Sequence, residues 1–231
     1  MQQRSLQDKI EQAREILSQA LDTTIAADTV AVAWTGGKDS GVVLHLWRDL
    51  AQRRGLVSPL VALNLDTGVK FPEVLAFRDL VAANWSLRLL VARPACTPET
   101  VPVAQDKARC CAARKIEPLA AAIRTYGIRV LFTGVRRDEH PSRSGRAYRE
   151  AFADPEHIRV HPILDFTEMD VWAYIMEHGL EYCPLYTQGY RSLGCMPCTA
   201  PPDADAPAQE RSGRDKDKER MLEQLHSLGY F

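Results

Sequence analysis

Nowhere in the 231 residues does an apolar run approach the roughly 20 residues that a membrane-spanning helix needs. The opening Met1-Gln2-Gln3-Arg4-Ser5 leads into a charged segment and lacks the apolar stretch of a signal peptide, so the cytoplasm is the expected compartment. Neither charge sign is in excess. Lys and Arg number 29 and Asp and Glu 30, a net charge of −1. No global basic field therefore points to nucleic acid or to a membrane surface, although a local basic groove is compatible with that balance. No internal repeat and no linker between two domains is visible. Cysteine is scarce but clustered: of Cys96, Cys110, Cys111, Cys183, Cys195 and Cys198, four sit in two tight pairs. In a reducing compartment such clustering suggests metal or redox chemistry more than disulfides.

The length suits one α/β domain with a tail, and the composition, 45% hydrophobic and 26% charged, is that of a globular chain. Residues 5–21 read as an amphipathic helix, with Leu6, Ile10, Ala13, Ile16, Leu17 and Ala20 at helical spacing. A strand–turn–helix theme follows. Strands are expected over 29–34, 60–64, 87–92 and 129–133, and helices over 41–53, 71–84 and 110–125. Alternating strands and helices predict an open, mostly parallel α/β sheet, Rossmann-like, with helices on both faces. Residues 136–159 read as a charged loop with a short excursion. Residues 167–179 read as a helix capped by Thr167, with Asp170 three positions on. The stretch 201–220 is polar and is expected to be mobile, and 222–231 to form a terminal helix turn with an aromatic end. The expected organisation is a single nucleotide-binding domain over 1–200 and a flexible tail over 201–231.

The chemistry is concentrated in four places. Thr35-Gly36-Gly37-Lys38-Asp39-Ser40 leaves a strand and opens a helix. Two glycines let backbone approach a phosphate, and the helix start offers free amides and a positive dipole end. Lys38 adds charge, Thr35 and Ser40 add hydroxyls, and Asp39 can cap the helix or help to hold magnesium. The spacing is not that of a Walker A loop; the plain alternative is an ordinary βα turn. Next, Leu65-Asp66-Thr67-Gly68, followed by Phe71-Pro72-Glu73, falls at the carboxyl end of the second strand, where open α/β sheets bind ligands. Third, Thr133-Gly134-Val135-Arg136-Arg137-Asp138 follows another strand, and its guanidinium groups suit an oxyanion. A solvated charge run is the alternative there. Finally, Cys110-Cys111 and Cys195-Met196-Pro197-Cys198 together supply four thiols, the usual number for a [4Fe–4S] cluster. Zinc, or no metal, are the alternatives. In the tail, Arg211-Ser212-Gly213-Arg214 either closes over a nucleotide or is disordered.

Taken together these motifs resemble the phosphoadenylyl-sulfate reductase family, from about residue 28 to 215. The loop at 35–40 resembles the pyrophosphatase loop of enzymes that split ATP between its α and β phosphates, and the stretch His161–Ile175 is similar to that family's helix before its second cysteine pair. The resemblance implies an adenine nucleotide alpha-hydrolase-like fold, with a nucleotide (ATP, adenylyl sulfate or phosphoadenylyl sulfate) at Thr35, Gly36, Gly37, Lys38, Asp39, Ser40, Asp66, Thr67, Gly68, Gly134 and Arg136. It implies catalytic roles for Lys38, Asp39, Arg136 and Arg137, with Asp39 and Asp66 placing Mg2+. The cysteine pattern is similar to iron–sulfur adenylyl-sulfate reductases, which implies one [4Fe–4S] cluster on Cys110, Cys111, Cys195 and Cys198. Cys96 and Cys183 are expected to be ordinary thiols.

Two features depart from the reductase pattern. Reductases of this family carry a cysteine in a C-terminal Glu-Cys-Gly-Leu-His motif, whereas here no cysteine follows Cys198. Thiol-dependent reductases also tend to have a degenerate phosphate loop, whereas Gly36-Gly37-Lys38-Asp39-Ser40 is intact. Glu210-Arg211-x-Gly-Arg214 and Gly229-Tyr230-Phe231 resemble the small subunit of ATP sulfurylase, which lacks the cysteine quartet. The expected activity is adenylyl transfer with α–β cleavage of ATP, in sulfate activation or a thiolation. The alternatives are a thiol-dependent reductase making sulfite, and a nucleotide and redox sensor without turnover. The expected partners follow: a GTPase subunit for a sulfurylase, a thioredoxin-like donor for a reductase, nucleic acid only as a thiolation acceptor, and a further copy of the chain if it is a homo-oligomer.

Overall fold

The structure is a computed structural model, which describes residues 4–22, 29–56, 59–202, 209–227 and 229. Met1, the aromatic end Tyr230-Phe231 and residues 203–208 of the expected tail lie outside the described residues. Six strands form one sheet in the order β3-β2-β1-β4-β6-β5. They are β1 (Val30–Ala33), β2 (Val61–Leu65), β3 (Arg88–Ala92), β4 (Val130–Phe132), β5 (Arg149–Ala153) and β6 (Glu156–Val160). β1 pairs in parallel with both β2 and β4, β3 runs parallel to β2, and β6 runs parallel to β4. Only β5 is antiparallel, folded back on β6 as a hairpin.

Side chains alternate across a strand, and β1 uses both faces. Val30, Val32 and Trp34 pack with the helices α1 (Leu6–Asp22), α2 (Lys38–Arg53), α3 (Pro72–Asn84) and α6 (Glu168–Glu177). Ala31 and Ala33 pack on the other face against Leu119, Ala122 and Ile123 of α5 (Glu117–Tyr126). The sheet is thus covered on both faces, as expected. No helix among the described residues is long and apolar enough to cross a membrane.

The helix expected from residue 110 begins earlier. Asp106 caps α4 (Lys107–Cys111), its carboxylate accepting the Arg109 amide at 3.0 Å. Ala112–Ile116 then form a π-turn that leads into α5, which ends at Gly127 with φ +63. Widened turns of this kind recur at functional sites. The Thr167 cap of α6 is present: its hydroxyl accepts the Asp170 amide at 3.2 Å, and Asp170 accepts the Thr167 amide at 2.7 Å.

Two expectations are corrected. Residues 136–159 are not a loop with a short excursion but contain all of β5 and most of β6. Strand β5, Arg-Glu-Ala-Phe-Ala, lies at the sheet edge, where charged residues blunt further pairing and little apolar alternation is required. The tail is also not simply mobile. Described residues 209–227 carry α7 (Lys216–Arg220) and α8 (Leu222–Ser227), and Glu210, Arg214, Lys218, Leu222 and Leu225 are buried. Their burial is long-range, so local polarity gives no sign of it.

Candidate nucleotide and cysteine site

The turn between β1 and α2 is built as the sequence suggests. Gly36 adopts φ +81, and a Cβ there would meet Val74 Cγ1 at 2.9 Å, so both conformation and space require glycine. The Thr35 and Ser40 hydroxyls are 2.9 Å apart, and the Gly37 amide donates to Thr35 Oγ1 at 3.2 Å. Gly134, after β4, touches the same turn: a Cβ there would lie 2.7 Å from the Ser40 amide nitrogen. The first and third motifs therefore form one surface at the carboxyl ends of β1 and β4, where the chain leaves in opposite directions along the sheet.

Behind this surface lies a buried ionic cluster. Lys38 Nζ is 2.5 Å from Glu210 and donates to the Arg191 carbonyl at 2.7 Å. Arg136 bonds Asp39 at 2.6 Å and Glu210 at 2.5 Å. Burial alone would lower the Lys38 pKa, but Asp39, Tyr186 and Glu210 raise it above the usual lysine value. Burial works against the Asp39 charge, yet Lys38 and Arg136 hold its pKa below the usual carboxylate value. Carboxylate oxygens of Asp39, Glu139 and Glu210 lie within 4.8 Å of one another, a spacing that can hold a divalent cation. Glu139 also pairs with Arg143, and with Arg211 at 3.4 Å.

The other expected residues divide. Asp66 faces away from this cluster: it accepts the Gly68 amide at 3.1 Å and pairs with Arg93 at 3.4 Å. Gly68 has φ +75. Thr67 is buried, its hydroxyl 3.3 Å from Cys195 Sγ, which joins the second motif to the second cysteine pair. Arg137 diverges from Arg136. It pairs with Asp165, donates to the Arg146 carbonyl at 2.8 Å and stands 5.3 Å from the Tyr148 ring centroid.

Cys110 and Cys111 end α4, and Cys195 and Cys198 flank a short turn whose Met196 amide donates to the Val69 carbonyl at 2.8 Å. The second pair has a basic surround. Lys115, just beyond Cys111, acts on both Cys195 and Cys198, as does Lys218 of α7; Lys107, before Cys110, acts on Cys198. Burial would raise the Cys195 thiol, but Lys115, the Thr67 hydroxyl, Lys218 and Lys70 bring it down to about 6. Burial pushes Cys198 up. All six cysteines are free. Cys183 is fully buried, and burial raises its thiol pKa, as suits an ordinary core thiol. Cys96 Sγ lies 4.0 Å from the Ala113 carbonyl of the π-turn.

One cleft joins the two halves. It is lined by Thr35, Gly37, Asp39 and Ser40 of the phosphate loop, by Thr67, Lys70, Lys115 and Cys195, and by Arg143, Arg211 and Arg214. The tail residues Arg211 and Arg214 thus line the cleft. Sequence reasoning missed Lys70, Lys115, Glu139 and Tyr186. The Tyr186 hydroxyl accepts the Lys38 amide at 2.9 Å, across 148 positions of sequence.

Residues 29–201 match the phosphoadenosine phosphosulfate reductase domain. The chain is 36% identical over 181 residues to a phosphoadenosine 5'-phosphosulfate reductase of Gloeobacter violaceus, covering 72% of this chain and 71% of that one. It is 29% identical over 280 aligned positions to sulfate adenylyltransferase subunit 2 of Shewanella oneidensis, covering 88% and 91%. Among solved structures, the phosphoadenylyl-sulfate reductase of Candida auris superposes with a TM-score of 0.65 at 20% identity, over 87% of this chain and 98% of that one. A U34-tRNA thiolase of Methanococcus maripaludis, solved with its [4Fe–4S] cluster, gives 0.55 at 14% identity, over 97% and 81%. At those identities the two structures bear on the fold alone. The chain belongs to the phosphoadenosine phosphosulfate reductase domain family. That membership makes it a nucleotide-binding enzyme of sulfur metabolism.

Proposed function

We propose that the chain binds ATP on the Thr35–Ser40 turn and transfers its adenylyl group to an oxyanion, sulfate being the acceptor that the family suggests. The observation that carries this reading is the cleft itself, with an intact phosphate loop and Gly134 at one end and Arg143, Arg211 and Arg214 along its wall. In the reaction an acceptor oxygen attacks the α phosphorus, the bond to the α–β bridging oxygen breaks, and pyrophosphate leaves with that electron pair. Lys38 and the loop amides hold the β and γ phosphates, and the cleft arginines offset charge that builds at the α phosphorus. Arg136 acts by fixing Asp39. Arg137 is left outside this chemistry, with Asp165 and Tyr148 as its partners.

Two cofactors fit the residues present. Asp39 and Glu139 offer the hard oxygen ligands that Mg2+ prefers, and Mg2+ bound there neutralises phosphate charge. Asp66, expected to share that task, is held by Arg93. For a [4Fe–4S] cluster, Cys110, Cys111, Cys195 and Cys198 would supply four thiolates, and Lys107, Lys115 and Lys218, which act on Cys195 or Cys198, would balance the negative charge of a thiolate-bound cluster. Such a cluster would set the electrostatics beside Cys195 in the cleft and would link Cys110 and Cys111 to the Cys195–Cys198 turn. The Shewanella relative is by name one subunit of an adenylyltransferase, and a partner subunit here would raise an activity that the chain alone already carries.

A second reading is reduction of adenylyl sulfate to sulfite, favoured by the 36% identity to a reductase. It needs an attacking thiolate, which would have to come from Cys96, Cys183 or a partner.

Anaerobically purified protein, with Mg2+, ATP and sulfate, is expected to release pyrophosphate in a sulfate-dependent way, and Lys38→Ala to lower the rate by about 100-fold or more, the scale of losing a main charge-stabilising donor. Sulfate-independent or absent pyrophosphate release would sink the reading. The wild type is expected to absorb near about 400 nm, and Cys198→Ser to lose both that band and its iron. Full iron content in Cys198→Ser would remove that residue from the ligand set.

A further inference from the structure

Gly37, Asp39 and Ser40 line the cleft, but Lys38 does not. Its side chain is wholly shielded, with Nζ bound to Glu210 Oε1 at 2.5 Å. The second oxygen of the same carboxylate lies 2.5 Å from Arg136 Nη2, which is equally shielded. One carboxylate therefore bridges the ammonium of the phosphate loop and the arginine of the Thr133-Gly134-Val135-Arg136 segment. A phosphate has the same means of bridging two such cations, two oxygens on one centre.

Glu210 belongs to neither loop. It sits on a strap, residues 209–215, that runs along the cleft. The far end of the strap is pinned to the second cysteine pair. The Ala200 amide donates to the Gly213 carbonyl at 2.8 Å, the Asp215 amide donates to the Cys198 carbonyl at 3.2 Å, and Asp215 pairs with Lys107 at 2.8 Å. Gly213 packs so closely that a Cβ would lie 2.1 Å from the Ala200 carbonyl oxygen. The near end is held by side chains, Glu210 on Lys38 and Arg136 and Arg211 on Glu139 and Glu219.

We propose that Glu210 is a built-in phosphate mimic, and that the strap keeps the phosphate loop closed until the polyphosphate of a nucleotide displaces its carboxylate from Lys38. The inference rests on the reading of residues 35–40 as the phosphate site. A polyphosphate carries more negative charge than one carboxylate, so exchange at Lys38 and Arg136 favours the nucleotide. Arg211 and Arg214, on the same strap, already face the cleft. Turning Glu210 away from Lys38 with the far end pinned leaves both guanidinium groups beside the incoming phosphates. An internal competitor also weakens apparent affinity in proportion to the fraction of molecules whose loop is open. Removing the competitor must therefore tighten binding, which is the opposite of what losing a substrate or metal ligand does.

The test is calorimetric titration of inorganic pyrophosphate, and separately of ATP with Mg2+, into anaerobically purified protein. Glu210→Gln is expected to bind both probes at least about tenfold more tightly than wild type, equivalent to about 1.4 kcal/mol. Glu210→Asp, which keeps the charge but shortens its reach, is expected to fall between them and stands in if Glu210→Gln does not fold. Equal or weaker binding by the variants, with wild type binding normally, overturns the strap and leaves the phosphate site standing. No binding by any of the proteins overturns both. Wild type gives an independent readout. The Ser212 amide, bonded to the Gln209 carbonyl at 3.1 Å, is expected to exchange its hydrogen faster once pyrophosphate is bound; slower or unchanged exchange contradicts the proposal.

Discussion

Gly134 sets how closely the loop after β4 can approach the start of α2. A methyl group there would lie 2.7 Å from the Ser40 nitrogen and 2.8 Å from the Asp39 carbonyl carbon, both backbone atoms that cannot swing aside. Gly134→Ala is therefore expected to push the phosphate turn off its seat and cost about 1–3 kcal/mol, as overpacking does. A thermal melt would show the loss, and ATP affinity should fall with it. An unchanged melt and affinity would mean that the two loops are less tightly fitted than described. At this scale the sequence is legible where chemistry demands a particular residue type. Gly37, Ser40, Thr67 and Gly134 all line the cleft, with Lys38 shielded behind it, because glycine geometry and phosphate-binding groups leave a local mark. Arg136 and Arg137 are adjacent and chemically alike, and only the fold separates them: one fixes Asp39, the other Asp165. Tyr186 and Glu210 reach Lys38 from far along the chain, and no local pattern announces such a contact.

At the scale of elements, α2 and α6 meet through a histidine pair. His45 lies 5.2 Å from His178 between ring centroids, and its Nδ1 is 2.8 Å from the Tyr174 hydroxyl. Burial, and then the nearness of His178, lower the His45 pKa to about 4. The unfolded chain takes up that proton near about pH 6.5, whereas the folded chain resists it until about pH 4. The contribution of His45 to stability is thus fully present above about pH 6.5 and is lost as pH falls from there toward 4. The melting temperature is expected to drop over that window, and His45→Gln, which keeps a polar partner for Tyr174, is expected to flatten the drop. An equally steep drop in the variant would assign the effect elsewhere. Elements with strong periodicity or caps were readable: α1 by its apolar stripe, α6 by Thr167 and Asp170, and β1 by its all-buried run. The β5–β6 hairpin was not, because an edge strand of mixed charge carries little period-two signal.

For the molecule as a whole, the sheet order brings the motifs after β1, β2 and β4 together at the carboxyl ends of three neighbouring strands, and residues 209–215 of the polar C-terminal segment return to them. Family membership could be read in the motifs, and the comparisons agree. What the motifs did not contain was the route by which the tail reaches the loop, since that depends on packing of Glu210 and Lys218 against residues far away in sequence. The cleft that results is lined by both the phosphate loop and Cys195. Under the proposed function this cleft makes and breaks the bond between adenylate and an oxyanion. The most direct test supplies the anaerobic protein with adenylyl sulfate labelled in sulfur, together with Mg2+, pyrophosphate and reduced thioredoxin, and separates the products. The account expects label in sulfate, with ATP formed in equal amount. Label in sulfite, with AMP in place of ATP, would contradict it and make the enzyme a reductase.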